Sequence, residues 1–123
     1  MGLTARILMT ISIYHNPRCS KSRQTLELLR SRGVEPSVIE YLKFPPSEAE
    51  LIKVISALGL SPRELLRKGE NAYKELGLDQ PDVTDDVLIK AMVSHPVLIE
   101  RPIVIHGNKA AIGRPPESVL LIL

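Results

Sequence analysis

Ile11, Ser12, Ile13 and Tyr14 form a short run rich in β-branched residues, which predicts a first strand. Asn16-Pro17 then forces a turn. Leu26, Leu28 and Leu29 give the next stretch an apolar side, predicting a helix over about 20–32 that Gly33 stops. Val38 to Leu42 reads as a second strand. This closely spaced β-α-β order favours a right-handed crossover and parallel pairing. Pro45-Pro46 ends the second strand, and Ser47-x-x-Glu50 has the form of a capping box. Leu51, Ile52, Ile55 and Leu58 follow at helical spacing, and Gly59 terminates the run. Ser61-Pro62-Arg63-Glu64 is a second box with Pro62 at the first helical position, opening a short helix through Leu65 and Leu66. A further turn or two is expected over about 71–76. Thr84-Asp85-Asp86 starts a helix with Val87, Leu88, Ala91 and Met92 facing inward, and His95-Pro96 stops it. Ile103-Val104-Ile105 is a strand, Gly107-Asn108 a hairpin signal, and Ala110-Ala111-Ile112 the returning strand. Gly113-Arg114-Pro115-Pro116 breaks the chain before a last helix over about 116–121.

The order β-α-β, several helices, then β-β-α is an α/β, thioredoxin-like plan. A helical insertion over about 47–95 falls between its second and third strands. No repeat or long linker divides the chain, so residues 11–123 read as a single domain. The 123 residues can bury a core without disulfides or metals. With three Tyr, one Phe and no Trp, that core must be built from Leu, Ile and Val. A formal charge of +2 is too small for a dedicated nucleic-acid binder, and no basic stretch carries aromatics for base stacking. No stretch approaches the roughly 20 apolar residues that span a bilayer, so no membrane partner is expected. A single cysteine excludes an internal disulfide and a Cys-rich zinc site, and it fits a reducing, cytoplasmic setting. His15, His95 and His106 lack clustered ligand spacing, so no metal site is expected. Residues 1–10 read as an N-terminal extension without the pattern of a signal peptide, and Met9 is a candidate natural start.

The one cysteine, Cys19, lies in Tyr14-His15-Asn16-Pro17-Arg18-Cys19-Ser20-Lys21-Ser22-Arg23, between the first strand and the first helix. A lone cysteine is most often buried and inert. Here the flanking Pro, Arg, Ser and Lys argue against an apolar pocket. A free thiol titrates near 8.5, so only about 3% is thiolate at pH 7. A helix N-terminus favours the anion, and Arg18, Lys21 and Arg23 add positive charge nearby. Ionisation alone gains little, because nucleophilicity falls with pKa at a Brønsted slope of about 0.4–0.5. The larger benefit must come from holding an anionic substrate beside the sulfur. Cys19-Ser20-Lys21-Ser22 has C-x-x-S spacing. Ser22 can donate a hydrogen bond to the sulfur but cannot resolve a mixed disulfide. Any turnover that oxidises Cys19 therefore needs an outside thiol.

Arg67, Arg101 and Arg114 each stand beside a structure breaker. Guanidinium forks at loop edges suit tetrahedral oxyanions. Each alone reads as a solvated charge; together with an activated thiol they point to oxyanion chemistry. On these residues the chain resembles the glutaredoxin-coupled arsenate reductases of the ArsC family, in particular its short YfgD-type branch. The resemblance runs from Ile11 almost to Leu123. It rests on the Cys19 segment quoted above, on Arg63-Glu64-Leu65-Leu66-Arg67, on Glu100-Arg101-Pro102-Ile103-Val104 and on Ile112-Gly113-Arg114-Pro115.

The resemblance implies a thioredoxin-like fold and an arsenate substrate, in the setting of arsenical resistance. It implies Cys19 as nucleophile, Arg67, Arg101 and Arg114 as oxyanion ligands, Ser22 bonded to the catalytic sulfur and His15 supporting the thiolate. Pro102 aligns with a cis-proline. No bound cofactor is implied; glutathione is a co-substrate and glutaredoxin a partner. In the implied reaction the Cys19 thiolate attacks arsenate and water leaves. Glutathione then takes the adduct to arsenite and a mixed disulfide, which glutaredoxin reduces. Arg18, where better-known members carry a small residue, and the lack of their longer C-terminal tail are departures from the family pattern. Other readings are an Spx-like regulatory module on the same fold and a thiol oxidoreductase with another substrate. A thiol phosphatase is disfavoured because the sixth residue after Cys19 is Thr25, which breaks the C-x5-R loop.

Overall fold

The computed structural model describes residues 10–123, so the expectations for residues 1–9, including the Met9 start, lie outside the described residues. Two compact units are present. One joins residues 10–41 to Arg101–Leu123; the other is Leu42–Glu100. The insertion expected over about 47–95 falls inside the second.

The first unit is built on one four-stranded sheet. Its strands are β1 (Ile11–Tyr14), β2 (Ser37–Ile39), β3 (Ile103–His106) and β4 (Lys109–Ile112), in the spatial order β2-β1-β3-β4. β1 and β2 run parallel, with Ile13 opposite Val38. Helix α1 (Ser20–Ser31) supplies the crossover between them. β3 is antiparallel to β1, with Ile13 opposite Val104, and antiparallel to β4, with Val104 opposite Ala111. The two-residue loop Gly107-Asn108 closes the β3–β4 hairpin, with Gly107 at a φ of 63°. A 3-10 helix, Pro116–Ile122, packs on α1 and β4. Ile13, Leu29, Val104 and Val119 are fully buried together, with Ile11, Leu26, Val34, Ala111 and Ile122 packed around them. One residue each from β1, α1, β3 and the terminal 3-10 helix thus closes this core.

The second strand is shorter than the residues 38–42 expected from its apolar run. β1 stops at the Asn16-Pro17 turn, so residues beyond Ile39 have no neighbouring strand to pair with. The His15 N–H bonds the Ile39 carbonyl at 2.8 Å at the point where the pairing ends. Tyr41 is buried even so, its ring centroid 6.3 Å from that of Tyr14. The last helix is also of the tighter 3-10 form.

The second unit contains α2 (Glu48–Leu58), α3 (Pro62–Leu65), α4 (Asn71–Glu75), α5 (Asp85–Ser94) and a 3-10 turn, Pro96–Leu98. Both capping boxes form. Ser47 Oγ accepts from the Glu50 N–H at 3.1 Å, and Glu50 Oε1 accepts from the Ser47 N–H at 3.0 Å. Ser61 and Glu64 repeat the exchange at 3.3 and 3.0 Å. The inward faces differ slightly from the sequence reading. Val54 and Ile89 are buried, whereas Ile52 and Val87 are exposed. Leu66 bridges Ile99, flanked by bonds from the Arg67 N–H to the Leu98 carbonyl and from the Glu100 N–H to the Leu65 carbonyl. Among the described residues no helix is long and apolar enough to cross a membrane.

Candidate active site

β1 ends in a buried position and delivers the chain to a turn that Asn16 ties together. The Asn16 carbonyl accepts from the Cys19 N–H at 3.0 Å, and its side-chain oxygen accepts from the Arg18 N–H at 3.0 Å. Arg23 reaches back from α1 to the Pro17 carbonyl at 2.9 Å. Cys19 is thereby fixed as the N-cap of α1, with φ −94° and ψ 123°. Its carbonyl accepts from the Arg23 N–H, the bond that opens the helix. An N-cap side chain normally offers an oxygen to the free N–H groups of the first turn. Here sulfur holds that position.

Cys19 is only 7% exposed. Burial is the largest influence on its thiol and pushes its pKa up. The Ser22 N–H, the Arg101 charge, the Lys21 N–H and the Arg114 charge together outweigh it, so the thiol titrates below its ordinary value. One Arg114 Nη2 lies 3.6 Å from Sγ, and Arg114 Nε donates to the Arg101 carbonyl at 2.8 Å. The cysteine is buried, as the inert reading requires, yet its neighbours are cationic and hydrogen-bonding rather than apolar. The source of the charge also differs from the sequence reading. Lys21 acts through its backbone N–H, and Arg23 is turned to the Pro17 carbonyl.

Ser22 is fully buried one turn into α1. Its hydroxyl accepts from the Asn16 N–H at 3.0 Å and meets His15 Nδ1 at 2.6 Å. The hydroxyl is thus engaged away from the sulfur, and it is the Ser22 backbone N–H that helps lower the thiol pKa. His15 is buried, and burial lowers its pKa; Glu40 opposes that and Arg30 and Arg23 add to it. The tautomer of the imidazole sets which of the two donates, and in either case the contact fixes the serine's orientation. His15 is thus linked to the sulfur through Ser22.

Cys19, Ser22, His15, Arg101 and Arg114 all belong to the first unit. Arg67 belongs to the second, where its guanidinium pairs with Glu70 at 2.9 Å and Glu100 at 3.8 Å. The Arg101–Pro102 bond is cis, as the resemblance implied, and so is Arg114–Pro115. Asn16, Thr25 and Gly113 carry parts of this geometry that sequence reasoning missed. Asn before Pro signals a turn, but its two bonds within the loop and its third to Ser22 in α1 follow only from the folded backbone. No group of His, Cys, Asp or Glu among the described residues is arranged to hold a metal. What remains is a thiol of lowered pKa with the Arg114 guanidinium 3.6 Å from its sulfur and the Arg101 charge acting on it, an arrangement of the kind suited to attack on an oxyanion.

A family model described as the ArsC family matches residues 14–122. The Escherichia coli (strain K12) protein YfgD, itself called uncharacterized, is 54% identical over 114 residues, covering 92% of this chain and 96% of the relative. A protein of Acidiphilium multivorum named arsenate reductase is 52% identical over 116 residues, covering 94% of this chain and 82% of the relative. Among solved structures, an arsenate reductase from Vibrio cholerae matches with a TM-score of 0.91 and 52% identity, over 94% of this chain and 98% of that one. The fold is that of the thioredoxin-like ArsC proteins. The matched span holds the cysteine, the histidine and serine behind it and every arginine considered above, and the chain belongs to the ArsC family.

Proposed function

We propose that this protein reduces arsenate to arsenite, with Cys19 as nucleophile, glutathione as reductant and glutaredoxin as the partner that regenerates the thiol. The observation that carries the reading is Cys19 Sγ at a helix N-cap, 3.6 Å from an Arg114 Nη2. Relatives about half identical and named arsenate reductase support the choice of substrate.

The Cys19 thiolate attacks arsenic(V), and one arsenate oxygen leaves as water, giving a sulfur–arsenic ester. Arg101 and Arg114 neutralise the oxyanion and the charge that develops as the bond forms. Glutathione sulfur then attacks Cys19 Sγ. The sulfur–arsenic bond breaks with its electron pair going to arsenic, which becomes arsenic(III) and leaves as arsenite. Two thiols have supplied two electrons and two protons, and the product on the protein is a Cys19–glutathione disulfide. Ser22, in the position of a resolving cysteine, cannot open it, so glutaredoxin takes the glutathione. Arg67 is the third oxyanion ligand in this reading, a role that rests on the family resemblance. A reducing, cytoplasmic setting fits a mechanism that consumes glutathione and needs Cys19 reduced.

The test is arsenite production from arsenate with glutathione and glutaredoxin. Wild-type protein is expected to turn over and Cys19→Ser to lose all activity. Arg67→Ala is expected to raise the KM for arsenate. Wild-type protein that forms no arsenite with both thiol sources present rejects arsenate as the substrate.

A further inference from the structure

Gly107 and Gly33 have positive φ angles and open space around them, so their glycine serves backbone conformation. Gly113 is the reverse. Its φ is not positive, and the room for a side chain is already filled. A Cβ there would overlap Thr25 Oγ1, stand 2.8 Å from Pro102 Cγ and 3.1 Å from Thr25 Cγ2. Neither neighbour can give way cheaply. Thr25 is fully buried and short, and its hydroxyl is anchored by donation to the Lys21 carbonyl at 2.8 Å. Pro102 is a closed ring, and its carbonyl accepts from the Gly113 N–H at 2.9 Å. The turn after β4 is thus pressed onto α1 on one side and the Pro102 segment on the other. The next residue is Arg114.

We propose that Gly113 is a positioning residue for the oxyanion site: its missing side chain lets the turn close on Thr25 and Pro102 and so sets the reach of Arg114 to the Cys19 sulfur. The contact is a three-way junction. Thr25 stands one turn beyond Lys21, to whose carbonyl its hydroxyl donates, on the turn of α1 that follows Cys19. Pro102 follows Arg101, whose carbonyl holds Arg114 Nε at 2.8 Å. A methyl group at position 113 has to lift the turn, and the guanidinium moves with it. A shift of a few tenths of an ångström to one ångström is enough to weaken a contact already at 3.6 Å.

The consequence for catalysis rests on the arsenate reading above, but the consequence for the thiol does not. The experiment is Gly113→Ala, compared with wild type, Arg114→Ala and the double variant Gly113→Ala/Thr25→Ala. Two quantities are read: the pH titration of Cys19 thiolate absorbance, and the KM for arsenate. In Gly113→Ala the titration is expected to move to higher pH, toward that of Arg114→Ala. KM is expected to rise ~10-fold, the size of one weakened charge-assisted hydrogen bond. Removing Oγ1 and Cγ2 of Thr25 relieves two of the three contacts and leaves Pro102 Cγ, so the double variant is expected to return partway on both readouts. A folded Gly113→Ala protein with wild-type titration and KM overturns the proposal. If Gly113→Ala does not fold, the double variant decides: recovery of fold and titration supports the junction, and no recovery overturns it. A shifted titration in a protein that reduces no arsenate even as wild type leaves Gly113 in its role and removes only the substrate.

Discussion

Sulfur at an N-cap sits where a serine or aspartate oxygen would cap the helix; here it closes no cap bond, and the first-turn N–H groups act on its titration instead. For Cys19 the opposing influences are burial, which favours the neutral thiol, and two N–H groups with two guanidinium charges, which favour the thiolate and prevail. The expected outcome is that Arg101→Ala and Arg114→Ala each move the thiolate titration to higher pH, read by ultraviolet absorbance. A titration unmoved by both removes the guanidinium groups from the account. His15 makes a second, independent prediction. Its folded pKa lies below 6.5, because burial favours the neutral ring. The stability this contributes is complete above the unfolded value near 6.5 and is lost as pH falls through the lower folded value. Urea midpoints of wild type should therefore fall on acidification below about 6.5, and His15→Gln should fall less steeply. Parallel slopes for the two proteins would assign the acid limb to other groups.

Helix boundaries were legible in the chain wherever their signals are satisfied within four residues. Ser47 with Glu50, Ser61 with Glu64, Thr84, Gly33 and Gly59 all act where their spacing put them. Ser47→Ala removes one half of a reciprocal pair and is expected to cost about 0.5–2 kcal/mol, read as a lower denaturant midpoint with unchanged m-value. No loss of stability would mean that the box forms without contributing. Boundaries set by a neighbouring element were not legible. β2 ends at Ile39 because β1 has already turned away, which no property of residues 38–42 reveals. The inner face of α1 was legible in its second half, where Leu29 is buried in the core and Leu26 packs against it, but not at its start. Its first turns bury Ser22 and Thr25, not leucines, because that part of the helix faces the sulfur's supporting bonds and the Gly113 turn.

The first unit draws its sheet from two stretches of chain separated by the whole of Leu42–Glu100. β1 and α1 come from one side of that segment, β3, β4 and the terminal 3-10 helix from the other. The parallel β1–β2 pair could be expected from the short crossover, and the hairpin from Gly107-Asn108. The insertion of β1 between β2 and β3 could not, because it joins residues remote in sequence. The same holds for the site. The thiol and the arginines were legible as residue types beside structure breakers. That an Arg114 Nη2 stands against a sulfur 95 positions earlier depends on how the turn after β4 closes. The sequence reading also assigned the Ser22 hydroxyl to the sulfur, whereas folding gives that hydroxyl to His15 and Asn16, and it is the Ser22 backbone that helps lower the thiol pKa.

Because the chain carries one cysteine, its chemistry leaves a mark that can be weighed. Incubating the protein with arsenate and glutathione, without glutaredoxin, and measuring intact mass alongside arsenite tests the central claim most directly. The account predicts a single glutathione on Cys19, formed in step with one arsenite per chain and reversed when glutaredoxin is added. Arsenite released while Cys19 stays free of glutathione, or an adduct that forms equally fast without arsenate, would contradict it.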